Sequence, residues 1–251
     1  MARRKTATKI PTITHQLIKR KPQTKNQNLV FKYFDDYNLV LHGCAGTGKT
    51  FVALYLSLAN ILDEPSSSYS GVTIIRSAVA TRNLGYLPGS AKEKMADFEH
   101  PYYQLCEELF NREDSFRMLV DRDLINFEST SFLRGTTYRN RIIIVDECSN
   151  MSFHELDTII TRIGENCKLI FCGDFHQSDL RSSYERHGFP YFMKILETIE
   201  SFKLIEFTED DIIRSDLVKD YIIAKRKFGH KKEFSIQYTD VGPDPSFSGD
   251  N

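Results

Sequence analysis

The chain has 251 residues, of which 41% are apolar and 27% charged, with a formal net charge of -1. That balance describes a folded globular protein with enough chain for a full hydrophobic core. It excludes a protein drawn to nucleic acid or membrane by overall charge, and the lack of an 18-residue apolar run excludes a spanning helix.

Charge is unevenly placed along the chain. Residues 1–25 hold eight basic side chains (Arg3, Arg4, Lys5, Lys9, Lys19, Arg20, Lys21 and Lys25) and no acid, so the rest carries 25 basic against 34 acidic residues. Residues 1–19 read as a basic arm without the apolar h-region of a secretory signal, and the expected location is the cytoplasm. Next comes Asn38–His42, a short apolar run ahead of glycine and so a buried strand. Phe51–Leu62 is apolar over helical length, and Pro65-Ser66-Ser67-Ser68 reads as a loop. Val72–Ile75 and Arg141–Val145 are β-branched strands, Phe153–Ile163 spaces its apolar residues as a helix, and Lys168–Cys172 is a further strand. Continuous apolar strands alternating with helices predict the α/β class with a mostly parallel sheet covered on both faces. Lys225-Arg226-Lys227 begins a second basic cluster running to Lys232; charge alone reads the two stretches either as a solvated arm and a charged helix end or as contacts to phosphate backbones. From Glu233 onward the chain is polar and reads as a disordered tail. The five cysteines (Cys44, Cys106, Cys148, Cys167 and Cys172) include no C-x-x-C pair, and the histidines form no metal clip. Neither a disulfide framework nor a structural zinc site is expected.

Chemistry enters at Gly43-Cys44-Ala45-Gly46-Thr47-Gly48-Lys49-Thr50, which fits G-x-x-x-x-G-K-[ST] at every fixed position, between a strand and a helix. Glycines let successive backbone N–H groups face phosphate oxygens, and the helix adds its positive end. Lys49 is expected on the β- and γ-phosphates and the Thr50 hydroxyl on Mg²⁺. The strand Ile142-Ile143-Ile144-Val145 ends in Asp146-Glu147. Asp146 is the expected second holder of Mg²⁺, and Glu147 the carboxylate that orients the attacking water. Beyond the next strand, Gln177 is the expected sensor of the γ-phosphate, with Asp174 in support. Arg214 is the candidate for the arginine that stabilises transition-state charge, with Arg134 and Arg76 as rivals. The aromatic cluster Phe98, His100, Tyr102 and Tyr103 reads as local core or, if exposed, as a platform for unpaired bases.

Together the phosphate loop, Val145-Asp146-Glu147-Cys148-Ser149-Asn150 and Cys172-Gly173-Asp174-Phe175-His176-Gln177 resemble the PhoH-like ATPases, single RecA-type domains related to superfamily-one helicases. Thr24-Lys25-Asn26-Gln27 is similar to that family's adenine-recognition segment, which implies that Gln27 hydrogen-bonds the adenine edge. Leu84-Gly85-Tyr86-Leu87-Pro88-Gly89, Arg134-Gly135-Thr136-Thr137 and Asp211-Ile212-Ile213-Arg214 match further family segments. Cys148-Ser149 stands where the family commonly has Ala-Gln, and Phe175 where it has Pro. The resemblance covers roughly residues 20–228 and implies a domain over 20–232 followed by a tail at 233–251. It also implies Mg-dependent ATP hydrolysis coupled to single-stranded RNA or DNA, and assembly of a homo-oligomer, with a ring as one form. The alternatives left open are a P-loop kinase passing phosphate to an acceptor and a slow nucleotide-switched binding module.

Overall fold

The computed structural model describes residues 17–64, 66–77, 91–133, 135, 137–174 and 188–229. The expectations for the first sixteen residues, Pro65, Leu84–Gly89, Arg134, Gln177 and the tail from Glu233 lie outside them. The chain divides into two units, residues 1–214 and 215–251.

The first unit is built on six strands: β1 (Asn38–Gly43), β2 (Gly71–Arg76), β3 (Ile125–Ser129), β4 (Arg141–Asp146), β5 (Cys167–Gly173) and β6 (Phe202–Phe207). They form one sheet in the order β3-β2-β4-β5-β1-β6, and every neighbouring pair is parallel. The helices of this unit are α1 (Lys25–Tyr33), α2 (Lys49–Asp63), α3 (Ala91–Phe110), α4 (Ser115–Asp121), α5 (Phe153–Thr161) and α6 (Gly188–Glu197). This is the parallel, helix-flanked α/β sheet expected of a RecA-like P-loop domain.

Strand side chains alternate between two cores, as the two-residue period requires. Leu39, Leu41, Val72, Ile74, Ile142 and Ile144 join the core that takes in side chains of α1 to α4. Val40, Ile75, Ile143, Val145, Leu169 and Phe171 join the one that takes in α5 and α6. Every residue of β4 is buried, which explains its unbroken apolar run. β3 and β6 were not expected from the sequence. They are the edges of the sheet, only partly buried, and their polar residues hide the strand signal.

Helix α5 starts where the sequence places it because Ser152 and Glu155 form a reciprocal capping box. It stops at Thr161, short of the expected Ile163, because the Arg162 N–H turns back to the carbonyls of Ile159 and Ile160 and Ile163 leaves to bridge Tyr138. The second unit contributes one described helix, α7 (Asp216–Gly229), with Arg226 and Lys227 in its last turn and Leu217, Val218 and Tyr221 exposed. Among the described residues no helix is long and apolar enough to cross a membrane.

Candidate active site

The expected phosphate loop leaves the end of β1 and runs into α2. Gly43 has φ +113°, and a Cβ there would lie 2.1 Å from the Phe207 carbonyl oxygen of β6. Only glycine allows that approach, and the next residue uses it, since the Cys44 N–H donates to the same carbonyl at 2.9 Å. Gly46 and Gly48 also have positive φ. The Thr47 hydroxyl ties the loop to itself by donating to the Cys44 carbonyl at 2.9 Å. Gly48 is the N-cap of the 15-residue α2 and no side chain caps that end, which leaves the helix start suited to an anion. Lys49 reaches back over the loop, its Nζ donating to the carbonyls of Gly43 at 2.8 Å and Cys44 at 2.6 Å. Burial lowers the pKa of this ammonium, and the nearby acids, Asp174 foremost, oppose the shift.

The acidic pair stands two strands away from the loop's own strand, since β5 separates β4 from β1. The gap is bridged by side chains. The Thr50 hydroxyl donates to Asp146 Oδ1 at 2.7 Å, and the buried Tyr102 phenol donates to Oδ2, also at 2.7 Å. Thr50 thus commits its proton to the carboxylate and keeps its oxygen lone pairs, so hydroxyl and carboxylate together present hard oxygen donors. That set suits Mg²⁺.

Glu147 turns into the left-handed region, φ 52° and ψ 36°, a conformation that is costly for a residue with a side chain and concentrates at functional positions. The residue is exposed to solvent. Desolvation by the surrounding protein raises its pKa, and Asp146 adds to the rise while Arg76 and Lys49 pull it back. Arg76 ends β2 directly beside Asp146 in register.

The lack of a side chain on Gly173 lets the end of β5 approach the turn after the pair. A Cβ on Gly173 would meet Cys148 Sγ at 2.8 Å and Ser149 N at 3.0 Å, while Ser149 Oγ accepts the Asp174 N–H at 3.3 Å. Ser149, read in the sequence as a lost glutamine, therefore links the turn after β4 to the end of β5.

A further group holds the loop from behind. Thr24 caps α1. The Gln27 amide nitrogen donates to the Thr47 carbonyl at 3.0 Å and its oxygen accepts from Gln23 N at 2.8 Å. The expectation for Gln27 was an adenine contact; the structure commits its oxygen and one amide hydrogen to protein, with the side chain buried. Asn26 donates to Asp211 through Nδ2 at 2.7 Å, and two residues after Asp211 the Ile213 N–H donates to the Gly46 carbonyl at 3.1 Å. Arg214 follows, exposed. The structure therefore brings Lys49, Thr50, Asp146 and Glu147 together, sets Gln27 behind the loop and leaves Arg214 on the surface beside it. Sequence reasoning missed the hydrogen bond from Tyr102 to Asp146; the available signal was that a buried phenol needs an acceptor.

A family model described as PhoH-like protein matches residues 19–225. The chain belongs to the PhoH-like family. It is 32% identical over 183 residues to a PhoH-like protein of Synechocystis sp., covering 72% of this chain and 54% of that one. It is 30% identical over 186 residues to a PhoH-like protein of Bacillus subtilis, covering 74% and 57%. The chain thus spans a little over half the length of these curated relatives. Among solved structures it is similar to the large terminase of a thermophilic bacteriophage in complex with ADP, at 14% identity and a TM-score of 0.47, over 79% of this chain and 48% of that one. It is also similar to Pif1 helicase from Candida albicans, at 16% identity and a TM-score of 0.34, over 74% and 40%.

Proposed function

We propose that this PhoH-like protein is a cytoplasmic, Mg-dependent ATPase whose turnover is coupled to single-stranded RNA or DNA, and that it works as a homo-oligomer. The observation that carries the hydrolytic half is the 2.7 Å contact between Thr50 and Asp146, which joins the phosphate loop to the acidic strand and leaves Glu147 beside them.

In this reading the loop amides and the start of α2 receive the phosphates, and Lys49 exchanges its loop carbonyls for phosphate oxygens. Thr50 and Asp146 would hold Mg²⁺, which supplies charge neutralisation at the phosphates when bound. Glu147, with its raised proton affinity, orients water and accepts a proton from it as the water attacks the γ-phosphorus. The phosphoryl group passes to water as inorganic phosphate, ADP leaves, and the exposed Glu147 returns the proton to solvent. Gln177 remains the proposed γ-phosphate sensor. Arg214 and Arg76 are the described candidates for charge stabilisation, and Arg76 has the better position because it adjoins Asp146 in register. Gln27 acts through the loop carbonyl it holds, with its second amide hydrogen as the group that could meet a base.

The nucleic-acid half rests on charge. The basic stretch at residues 1–25 and the cluster opening with Lys225-Arg226-Lys227 suit a phosphate backbone in a chain that is otherwise acidic. The test is steady-state ATP hydrolysis with and without single-stranded RNA or DNA at low and high salt, with Glu147→Gln as the blank. Stimulation by one polymer that weakens with salt supports the coupled reading. Basal turnover lost in the variant but indifferent to both polymers keeps the ATPase and removes the coupling.

A further inference from the structure

We propose that Tyr102 is a positioning residue for the carboxylate of Asp146. The inference rests on the reading of Asp146 as a metal-holding residue and adds to it a group from outside the family motifs quoted above.

Asp146 is the last residue of a buried strand, and a carboxylate there can turn about its own side-chain bond. Two hydroxyl donors on its two oxygens remove that freedom. Thr50 comes from the phosphate loop and fixes Oδ1; Tyr102 comes from the middle of α3 and fixes Oδ2, both at 2.7 Å. The two donors differ in kind. Thr50 belongs to the segment that receives the nucleotide, so its contact changes with whatever enters the site. Tyr102 is 1% exposed and its ring packs against Phe127 at a centroid distance of 5.4 Å, so it cannot follow a ligand without repacking the core.

The chain also makes Tyr102 an unusual choice for a mere core filler. A buried hydroxyl costs free energy unless it finds a partner, and a phenylalanine would fill the same volume. The phenol donates to a carboxylate, the strong class of hydrogen bond. Its neighbour Tyr103 serves as the contrast, stacking on Phe116 at 4.4 Å with no part in the acidic pair. Groups that orient a ligating side chain without touching the metal are worth about 10–100-fold in metal affinity or activity, and Tyr102 stands in that relation to Asp146.

The experiment is ADP binding by calorimetry to the full chain over a range of free Mg²⁺, comparing wild type, Tyr102→Phe and Tyr103→Phe. Tyr102→Phe keeps the ring and removes only the donor. The expected result is unchanged affinity for ADP without metal, and a concentration of Mg²⁺ for half-maximal enhancement raised about 10-fold or more. Tyr103→Phe should match wild type. Urea unfolding without ligands measures any loss of stability separately, since that alone would not move the metal requirement. In an Asp146→Asn background the Tyr102 substitution should have no further effect on metal enhancement. Should Tyr102→Phe fail to fold, Phe127→Leu, which frees the ring but keeps the hydroxyl, should also raise the metal requirement. A metal requirement in the Tyr102 variant within about threefold of wild type, or an effect that persists without Asp146, overturns the positioning role and leaves the Asp146 reading standing. If wild-type protein binds ADP no better with Mg²⁺ than without, both readings fall together.

Discussion

Replacing Asp211 with alanine should loosen the back of the phosphate loop and destabilise the fold by a calculable amount. The side chain is 2% exposed and accepts from Asn26 Nδ2 at 2.7 Å, Thr208 N at 2.9 Å, Thr208 Oγ1 at 3.3 Å and Asn26 N at 3.4 Å. Counting only the two short bonds, at about 1.5 kcal/mol each for a charged acceptor, gives a loss of about 3 kcal/mol. For a chain of this size that lowers the melting temperature by roughly 6–12 °C. The pH dependence follows from linkage. Burial works to raise the Asp211 carboxyl, but the hydrogen bonds from Thr24, Asn26 and Thr208 together hold it below its ordinary value of 3.8. A carboxyl depressed in the folded state stabilises fully above the unfolded value and loses that contribution as pH falls through the folded one. The gap between wild type and Asp211→Ala in urea unfolding, followed by circular dichroism, should therefore be full at neutral pH and shrink below about pH 4. Nucleotide affinity should fall in parallel, because Asn26 adjoins the glutamine on the Thr47 carbonyl and Asp211 lies two residues from the amide on the Gly46 carbonyl. A gap under about 0.5 kcal/mol at pH 7, the range of an ordinary surface change, would refute the reasoning, as would a gap that widens on acidification.

Three further outcomes follow from the same geometry. Gly43→Ala forces a methyl group to 2.1 Å from the Phe207 carbonyl at φ +113°; it should cost about 2–4 kcal/mol in urea unfolding, and a neutral result would mean that β6 does not pack there. Glu147→Gln should lower ATP turnover by about 10²–10⁴-fold while ADP binding by calorimetry stays within a few fold; parallel loss of binding would make Glu147 structural. Arg76→Gln removes a cation that draws the raised Glu147 carboxyl back down, so the acid limb of the pH–rate profile, where the base becomes protonated, should move to higher pH. A limb that stays put or moves lower would show that Arg76 does not act on Glu147.

What could be read from the sequence was whatever consecutive residues decide. The loop from Gly43 to Thr50 carries its glycines, lysine and hydroxyl within eight positions, so its chemistry is legible without a fold. The four inner strands are legible for the same reason, since burial on both faces demands unbroken apolar runs, whereas β3 and β6 at the sheet edges mix polar residues into theirs. What closes the site is written at long range. Thr50 and Asp146 are 96 positions apart, Tyr102 and Asp146 are 44 apart, and Asn26 and Asp211 are 185 apart. Gln27 shows the consequence most directly. Its type and its place ahead of the loop could be read, but its bond to the Thr47 carbonyl, 20 positions away, could not. Tyr102 makes the same point from the other side, because a phenol inside an aromatic cluster reads as core, and it is core. Only the arrival of β4 beside α3 gives its hydroxyl an acceptor. A local motif can therefore name the chemistry of this site, but how rigidly that chemistry is held depends on residues that no motif contains.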